Sequence, residues 1–232
     1  MNPAFDLASL AALLADQTRA AMCLALLDGR AWTAGELAAQ AGVAPSTATE
    51  HLHRLISGGL LVQRRQGRHR YVQLAGSAVA QLIEDLAAHT APSRTPARGL
   101  REATASAALR RGRTCYDHLA GRLGVALTDA MTTAGLLDQT GGFALTPAGL
   151  TWLTDELGLD PVDLRQSRRP LARGCLDWTE RRQHLAGTAG AEVCRRLLDN
   201  QWLVKVGSSR AVKITPIGKS ELRRLLELPD ID

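Results

Sequence analysis

The sequence predicts a mainly α-helical chain carrying small β-hairpins, an α+β class. Three observations lead to this. Apolar residues recur at helical spacing from Phe5 onward. Between Thr33 and Leu74, helix starts, glycine stops and an arginine-tipped hairpin follow one another in a fixed order. Beyond residue 100, several short runs occur twice.

Phe5, Leu7, Leu10, Leu13 and Leu14 form the first helical pattern. Asp16 is placed to cap a second helix, Gln17 to Leu27, which Asp28-Gly29 ends. Thr33 with Glu36 makes a capping box that opens a third helix through Ala41. Gly42 permits the sharp turn after it, and Pro45 opens a fourth helix to about Ser57, stopped by Gly58-Gly59. A strand from Leu60 to Arg64, a polar tip at Gln66-Gly67 and a return strand from Arg70 to Leu74 follow, then a helix from Ser77 to His89.

A helix-turn-helix followed by a basic hairpin is the winged-helix arrangement. Its second helix fits the major groove of DNA, and the hairpin reaches the neighbouring phosphates. On the fourth helix, Ala48, Leu52, Leu55 and Ile56 share the core side. Ser46, Thr47, Thr49, Glu50, His53 and Arg54 are left for the other side, where short hydroxyls approach bases and phosphates closely and Glu50 can accept from a cytosine amino group. Arg64, Arg65, Arg68 and Arg70 form the hairpin's phosphate contacts.

The net charge of +5 in 232 residues says less than its distribution. Residues 1–90 are neutral, with seven basic and seven acidic groups, yet no carboxylate lies between His51 and Ile83. No apolar run approaches the roughly 20 residues of a membrane helix, and four cysteines are too few for a disulfide scaffold. A cytoplasmic protein is expected. No phosphate-cradling glycine loop, nucleophile elbow or HExxH run is present, so no enzyme is predicted.

Residues 7–90, including the run from Leu14 to Leu74, resemble the DNA-binding core of ArsR-type (arsenic-repressor-like) bacterial regulators. The resemblance implies a homodimer that represses transcription and leaves its DNA when an inducer binds. Metal-sensing members of that family carry cysteines at the start of the helix before the recognition helix. Here that stretch, Arg30 to Leu37, has no Cys or His. A second family site, on the terminal helices, would find only Glu84, Asp85 and His89.

Residues 91–99, with Pro92 and Pro96, read as a linker between a domain at 1–90 and another at 100–232. The second domain reads as two winged-helix-like repeats, about 100–160 and 161–232. RTCYDHLAGRLG (113–124) matches RGCLD (173–177) plus HLAGTAG (184–190), with WTERRQ inserted between. Thr146-Pro147 and Thr215-Pro216 then open matching helices. Each repeat is expected to run helix, helix, hairpin, helix, with both HLAG runs following helical patterns. The first hairpin carries Asp138 and no base; the second carries Lys205, Arg210 and Lys213. A sensing or dimer-supporting module fits this better than further DNA readers.

Cys115 and Cys175 occupy equivalent places, each followed by an aspartate, Asp117 or Asp177, and then by His118 or His184. These residues, with Trp178 in the insertion, are the candidate effector site. Thiols beside imidazoles suit a soft metal, As(III) or a redox pair. Against this, a free cysteine is usually a small core hydrophobe, and no tight metal-binding spacing is present. No resident cofactor or metal is therefore assigned. The expected partners are a palindromic double-stranded DNA operator, a second copy of the chain, and a small-molecule, metal or oxidant inducer; no membrane is expected. The alternative is an interaction module built on winged helices that bind no DNA.

Overall fold

The structure, a computed structural model, describes residues 3–67, 69–90, 100–165, 169–207 and 209–231. It divides into two compact units, Met1–Glu84 and Asp85–Asp232. The division falls inside the helix Ser77–Ala88, ahead of the boundary expected at residue 90, and the linker 91–99 lies outside the described residues.

The first unit runs α1 (Pro3–Leu14), α2 (Gln17–Leu26), β1 (Trp32–Thr33), α3 (Ala34–Ala41), α4 (Pro45–Ser57), β2 (Leu61–Gln66), β3 (His69–Leu74) and α5 (Ser77–Ala88). Its local signals act as the sequence predicts. The Asp16 carboxylate accepts from the Arg19 amide at 2.9 Å and caps α2. Thr33 and Glu36 exchange the two bonds of a capping box at α3. Gly42 ends α3 with a left-handed φ of 71°, and Pro45 sits in the first turn of α4. β2 and β3 pair antiparallel from Leu61↔Leu74 to Gln66↔His69. Strand β1 was not expected. Trp32 and Thr33 pair with Val72 and Tyr71, giving the sheet order β1-β3-β2. Two residues show no alternation from which a strand is read.

The core of this unit gathers Met22, Cys23, Leu26, Leu37, Leu52, Leu55, Leu61 and Val72. α4 contributes Ala48, Leu52 and Leu55, so its opposite face remains outside. Asp16→Ala removes the α2 cap and is expected to lower the stability of this unit by about 1 kcal/mol. Urea unfolding of the full chain, followed in this unit through Trp32, measures the shift.

The second unit runs α6 (Leu100–Arg111), β4 (Arg113–Cys115), β5 (His118–Ala120), α7 (Gly121–Thr133), β6 (Leu137–Asp138), β7 (Ala144–Leu145) and α8 (Pro147–Asp155). It continues α9 (Pro161–Arg165), β8 (Arg173–Leu176), β9 (Gln183–Ala186), α10 (Gly187–Asp199), β10 (Leu203–Lys205), β11 (Val212–Ile214) and α11 (Pro216–Leu226). Each half is therefore helix, hairpin, helix, hairpin, helix. This corrects the helical reading of the segments before both HLAG runs. They are antiparallel hairpins, β4–β5 and β8–β9. Strands of three or four residues are too short to display their period, and the first hairpin turns through Tyr116 at a left-handed φ of 61°.

The paired glycines of each HLAG run now have a physical role. Gly121 and Gly187 take φ of 73° and 83°, and a Cβ there would lie 2.7 or 2.6 Å from the carbonyl oxygen of Arg110 or Pro170. Gly124 and Gly190 let α7 and α10 lie directly on their own hairpins. A Cβ would meet the Leu119 or Leu185 carbonyl oxygen at 2.4 or 2.5 Å. The same two glycines face the histidine of the other half: Gly124 looks onto His184 and Gly190 onto His118.

One apolar core joins the halves, with Leu119, Leu123, Leu127 and Met131 from the first and Leu185, Val193, Leu197 and Leu203 from the second. Phe143, Trp152 and Trp202 pack against it. Further links are polar. Thr128 Oγ1 accepts from the Leu185 amide at 2.8 Å, and Arg182 forks onto Asp129 at 2.7 and 2.8 Å. Arg210, on the hairpin weighed as a second DNA contact, donates to the Thr114 carbonyl at 3.0 Å. Among the described residues no helix is long and apolar enough to cross a membrane.

Candidate functional site

In the first unit, α4 presents Ser46, Thr47, Thr49, Glu50, His53 and Arg54 to solvent, all exposed. Thr49 donates its hydroxyl to the Pro45 carbonyl at 2.8 Å, and Arg54 pairs with Glu50 at 2.6 Å along the helix. Arg64, Arg65 and Arg70 are exposed on the hairpin; Arg68 lies outside the described residues. Arg65 and Arg70 stand directly opposite each other across the strands. No carboxylate of β2 or β3 offsets them, so this edge is a local cationic ridge.

The second unit brings Cys115, His118, Cys175 and His184 into one buried cluster, whose four donor atoms lie within 4.8 Å of one another. It is the one such grouping of ligand-type side chains among the described residues, so Glu84, Asp85 and His89 do not form another. Register explains the convergence. Cys115 pairs across its hairpin with His118, and Cys175 pairs with His184. Packing β5 against β9 then sets the two Cys-His pairs face to face. The sulfurs are 4.0 Å apart and the two Nε2 atoms 3.1 Å apart.

Carboxylates stand behind the imidazoles. Asp117 Oδ1 lies 3.3 Å from His118 Nδ1, and Arg169 bridges to the same carboxylate at 2.5 Å. Asp177 Oδ2 lies 3.6 Å from His184 Nδ1, near but beyond hydrogen-bond length. Asp177 is fully buried and binds across the halves: Oδ2 accepts from Arg113 at 3.1 Å and from the Gly121 amide at the start of α7 at 2.6 Å. Its other oxygen accepts from Thr179 and the Glu180 amide, shaping the inserted loop. Trp178 stacks on the Arg113 guanidinium, 5.0 Å from its ring centre.

This surrounding field acts on the titrating groups. Hydrogen bonding from Cys115 pulls the Cys175 thiol far below its ordinary range against the opposing effect of burial, and both imidazoles assist. Burial works against charge on His118, but Asp117 and Cys175 raise it overall. Burial also opposes ionisation of Asp117, yet His118 and Arg169 hold it down to about 2. Elsewhere burial alone dominates, pushing Cys23 up to about 11 and Cys194 up to about 12. Burial thus disfavours the thiolate at Cys23 and Cys194, whereas the neighbours of Cys175 favour it.

Comparison with known proteins places the whole chain. Residues 14–64, from the end of α1 into β2, match the family described as "Helix-turn-helix domain". The chain is 38% identical over 229 residues to the uncharacterized HTH-type transcriptional regulator YdfF of Bacillus subtilis (strain 168), covering 98% of this chain and 99% of that one. The chain belongs to the HTH-type transcriptional regulators. The regulator is also 40% identical over 80 residues to the HTH-type transcriptional regulator CmtR of Mycobacterium tuberculosis, covering 34% of this chain and 67% of that one. The solved structure of the cadmium metal-sensor CmtR from the same organism aligns at 33% identity, with a TM-score of 0.32, over 40% of this chain and 97% of that one.

The regulator is thus a DNA-binding winged-helix protein, as the order of its N-terminal signals predicts. All seven residues singled out in its C-terminal unit lie in or around the cluster. The sequence reading did not include Arg113 and Arg169 in the site. Their role depends on pairing across the halves, to Asp177 and Asp117, which no local spacing shows.

Proposed function

We propose that this regulator is a cytoplasmic homodimeric repressor that holds a palindromic operator through its N-terminal unit and releases it when an inducer acts on the C-terminal unit. The observation that carries this is the exposed face of α4 beside the arginine hairpin, a groove-reading helix next to a phosphate-binding edge. One α4 reads too few base pairs to select a site, whereas a two-fold dimer reads two half-sites. Support for sensing in the second unit comes from its buried cluster of two thiols and two imidazoles.

A mobility-shift titration of the full chain on the DNA upstream of its own gene tests this. Binding to a two-fold sequence is expected to exceed binding to shuffled DNA of equal length. The affinity should fall steeply with salt, by about 0.9 logarithmic units per phosphate contact for each decade of salt concentration. Equal, salt-insensitive retention of both DNAs, or none, would favour the interaction module instead.

A further inference from the structure

We propose that Cys115, His118, Cys175 and His184 form a four-coordinate site for one zinc-class divalent cation, clamping hairpin β4–β5 to hairpin β8–β9. The site is independent of the DNA reading: a chain that bound no operator would hold the ion equally well.

Donor geometry is the first argument. A tetrahedral zinc with bonds of about 2.3 Å to sulfur and about 2.0–2.1 Å to nitrogen sets its two sulfurs about 3.8 Å apart and its two nitrogens about 3.3 Å apart. The observed separations are 4.0 and 3.1 Å. No pair of donors exceeds 4.8 Å, so small side-chain rotations complete the tetrahedron.

Orientation is the second. Both histidines point Nε2 inward and Nδ1 toward a carboxylate, Asp117 or Asp177. Ligating imidazoles are commonly held by a carboxylate that fixes the ring and its tautomer; Asp117 does this for His118 at 3.3 Å, while Asp177 stands 3.6 Å from His184 Nδ1. Each carboxylate is in turn paired with an arginine, Arg169 or Arg113, so the outer shell is neutral in itself.

Charge selects the ion. Two thiolates and two neutral imidazoles carry a charge of minus two, which a dication cancels inside a buried site where uncompensated charge is costly. A monovalent soft ion would leave one negative charge there, and As(III) would find two thiolates where its pyramidal coordination takes three. A tetrahedral set of two sulfurs and two nitrogens is characteristic of zinc. Each hairpin contributes one sulfur and one nitrogen, so an ion joins elements sixty residues apart. Loading it therefore ties the two halves together, and metal binding adds to folding.

The test uses the full chain, reduced and stripped with a chelator, with Co2+ as a spectroscopic probe. One equivalent per chain is expected to give the visible bands of tetrahedral cobalt and a thiolate charge-transfer band, which one equivalent of Zn2+ abolishes. Cys175→Ser should lose the charge-transfer band or weaken it by half, and Cys194→Ser should keep it whole. Asp117→Asn should lower zinc affinity about 10- to 100-fold. If the cysteine variant does not fold, wild type still decides the matter: zinc should protect Cys115 and Cys175 from alkylation, mapped by mass spectrometry. A folded wild-type chain with only octahedral cobalt, no bound ion, or unprotected cluster thiols overturns the proposal. So does a tetrahedral signal that survives the folded Cys115→Ser/Cys175→Ser double variant.

Discussion

Asp177→Asn is expected to destabilise the C-terminal unit by about 3–5 kcal/mol, the range found when one partner of a buried ion pair is removed. Arg113 and Asp177 are both essentially inaccessible to solvent, at 1% and 0% side-chain exposure, so neither can turn to water when the other is lost. The damage extends beyond that pair. Asp177 Oδ2 also accepts from the Gly121 amide, and Oδ1 from Thr179 and the Glu180 amide. An asparagine amide turned toward Arg113 and Gly121 sets donor against donor, and turning it over spoils the inserted loop instead. The matched control is Asp117→Asn. Its pair with Arg169 is 30% and 39% exposed, and in the chelator-stripped chain, where zinc affinity plays no part, the loss should be no more than about 1 kcal/mol. Urea unfolding followed through the tryptophans of this unit measures both. Equal midpoints for the two variants would show that the buried network does not hold the halves together.

The contrast between the two units shows what a sequence makes legible. The N-terminal signals are local: Asp16 caps three residues away, Thr33 and Glu36 cap each other within one turn, and Pro45 and Gly42 act through their own backbones. Each is complete within a short window, so the elements and their order are readable in advance. The C-terminal cluster is assembled by register and packing. Nothing in Arg113-Thr114-Cys115 announces a strand, because its partner His118-Leu119-Ala120 is equally short and the turn between them depends on the left-handed Tyr116. Leu, Ala and Gly around both HLAG runs favour a helical reading that only the adjoining hairpin overrules. The matched order of Cys, Asp and His in both halves was visible. That the insertion after Asp177 leaves Cys175 opposite His184, as Cys115 is opposite His118, was not. A pair of ligands spread over distant segments shows no spacing motif, which is why the cysteines read more readily as core.

Replacing Arg64, Arg65 and Arg70 together by alanine is expected to weaken DNA binding about 100-fold for each protomer of the proposed dimer, or about 10,000-fold for the dimer, at roughly 1 kcal/mol for each lost charged contact. The side chains are exposed, and the hairpin is held by backbone pairing and by Leu61, Val72 and Leu74 rather than by the arginines. The variant should therefore fold normally, and its unfolding midpoint provides the check. Phosphate contacts position a protein without reading sequence, so operator and shuffled DNA should lose affinity in parallel. With two protomers on the operator, six arginines are lost, and the salt dependence should become shallower by about five to six logarithmic units per decade, close to one per arginine. His53 differs, because it lies on the exposed face of α4 that is proposed to enter the groove. His53→Ala should leave the salt slope alone and change the ranking of operator variants by about 1–3 kcal/mol at the base it meets. A triple arginine variant with an unchanged slope would remove β2–β3 from the DNA interface. A His53 variant that weakens all sequences equally would move that residue from the bases to the backbone. The two results together decide which edge of the winged helix faces DNA, since the slope counts phosphates and the ranking reports bases.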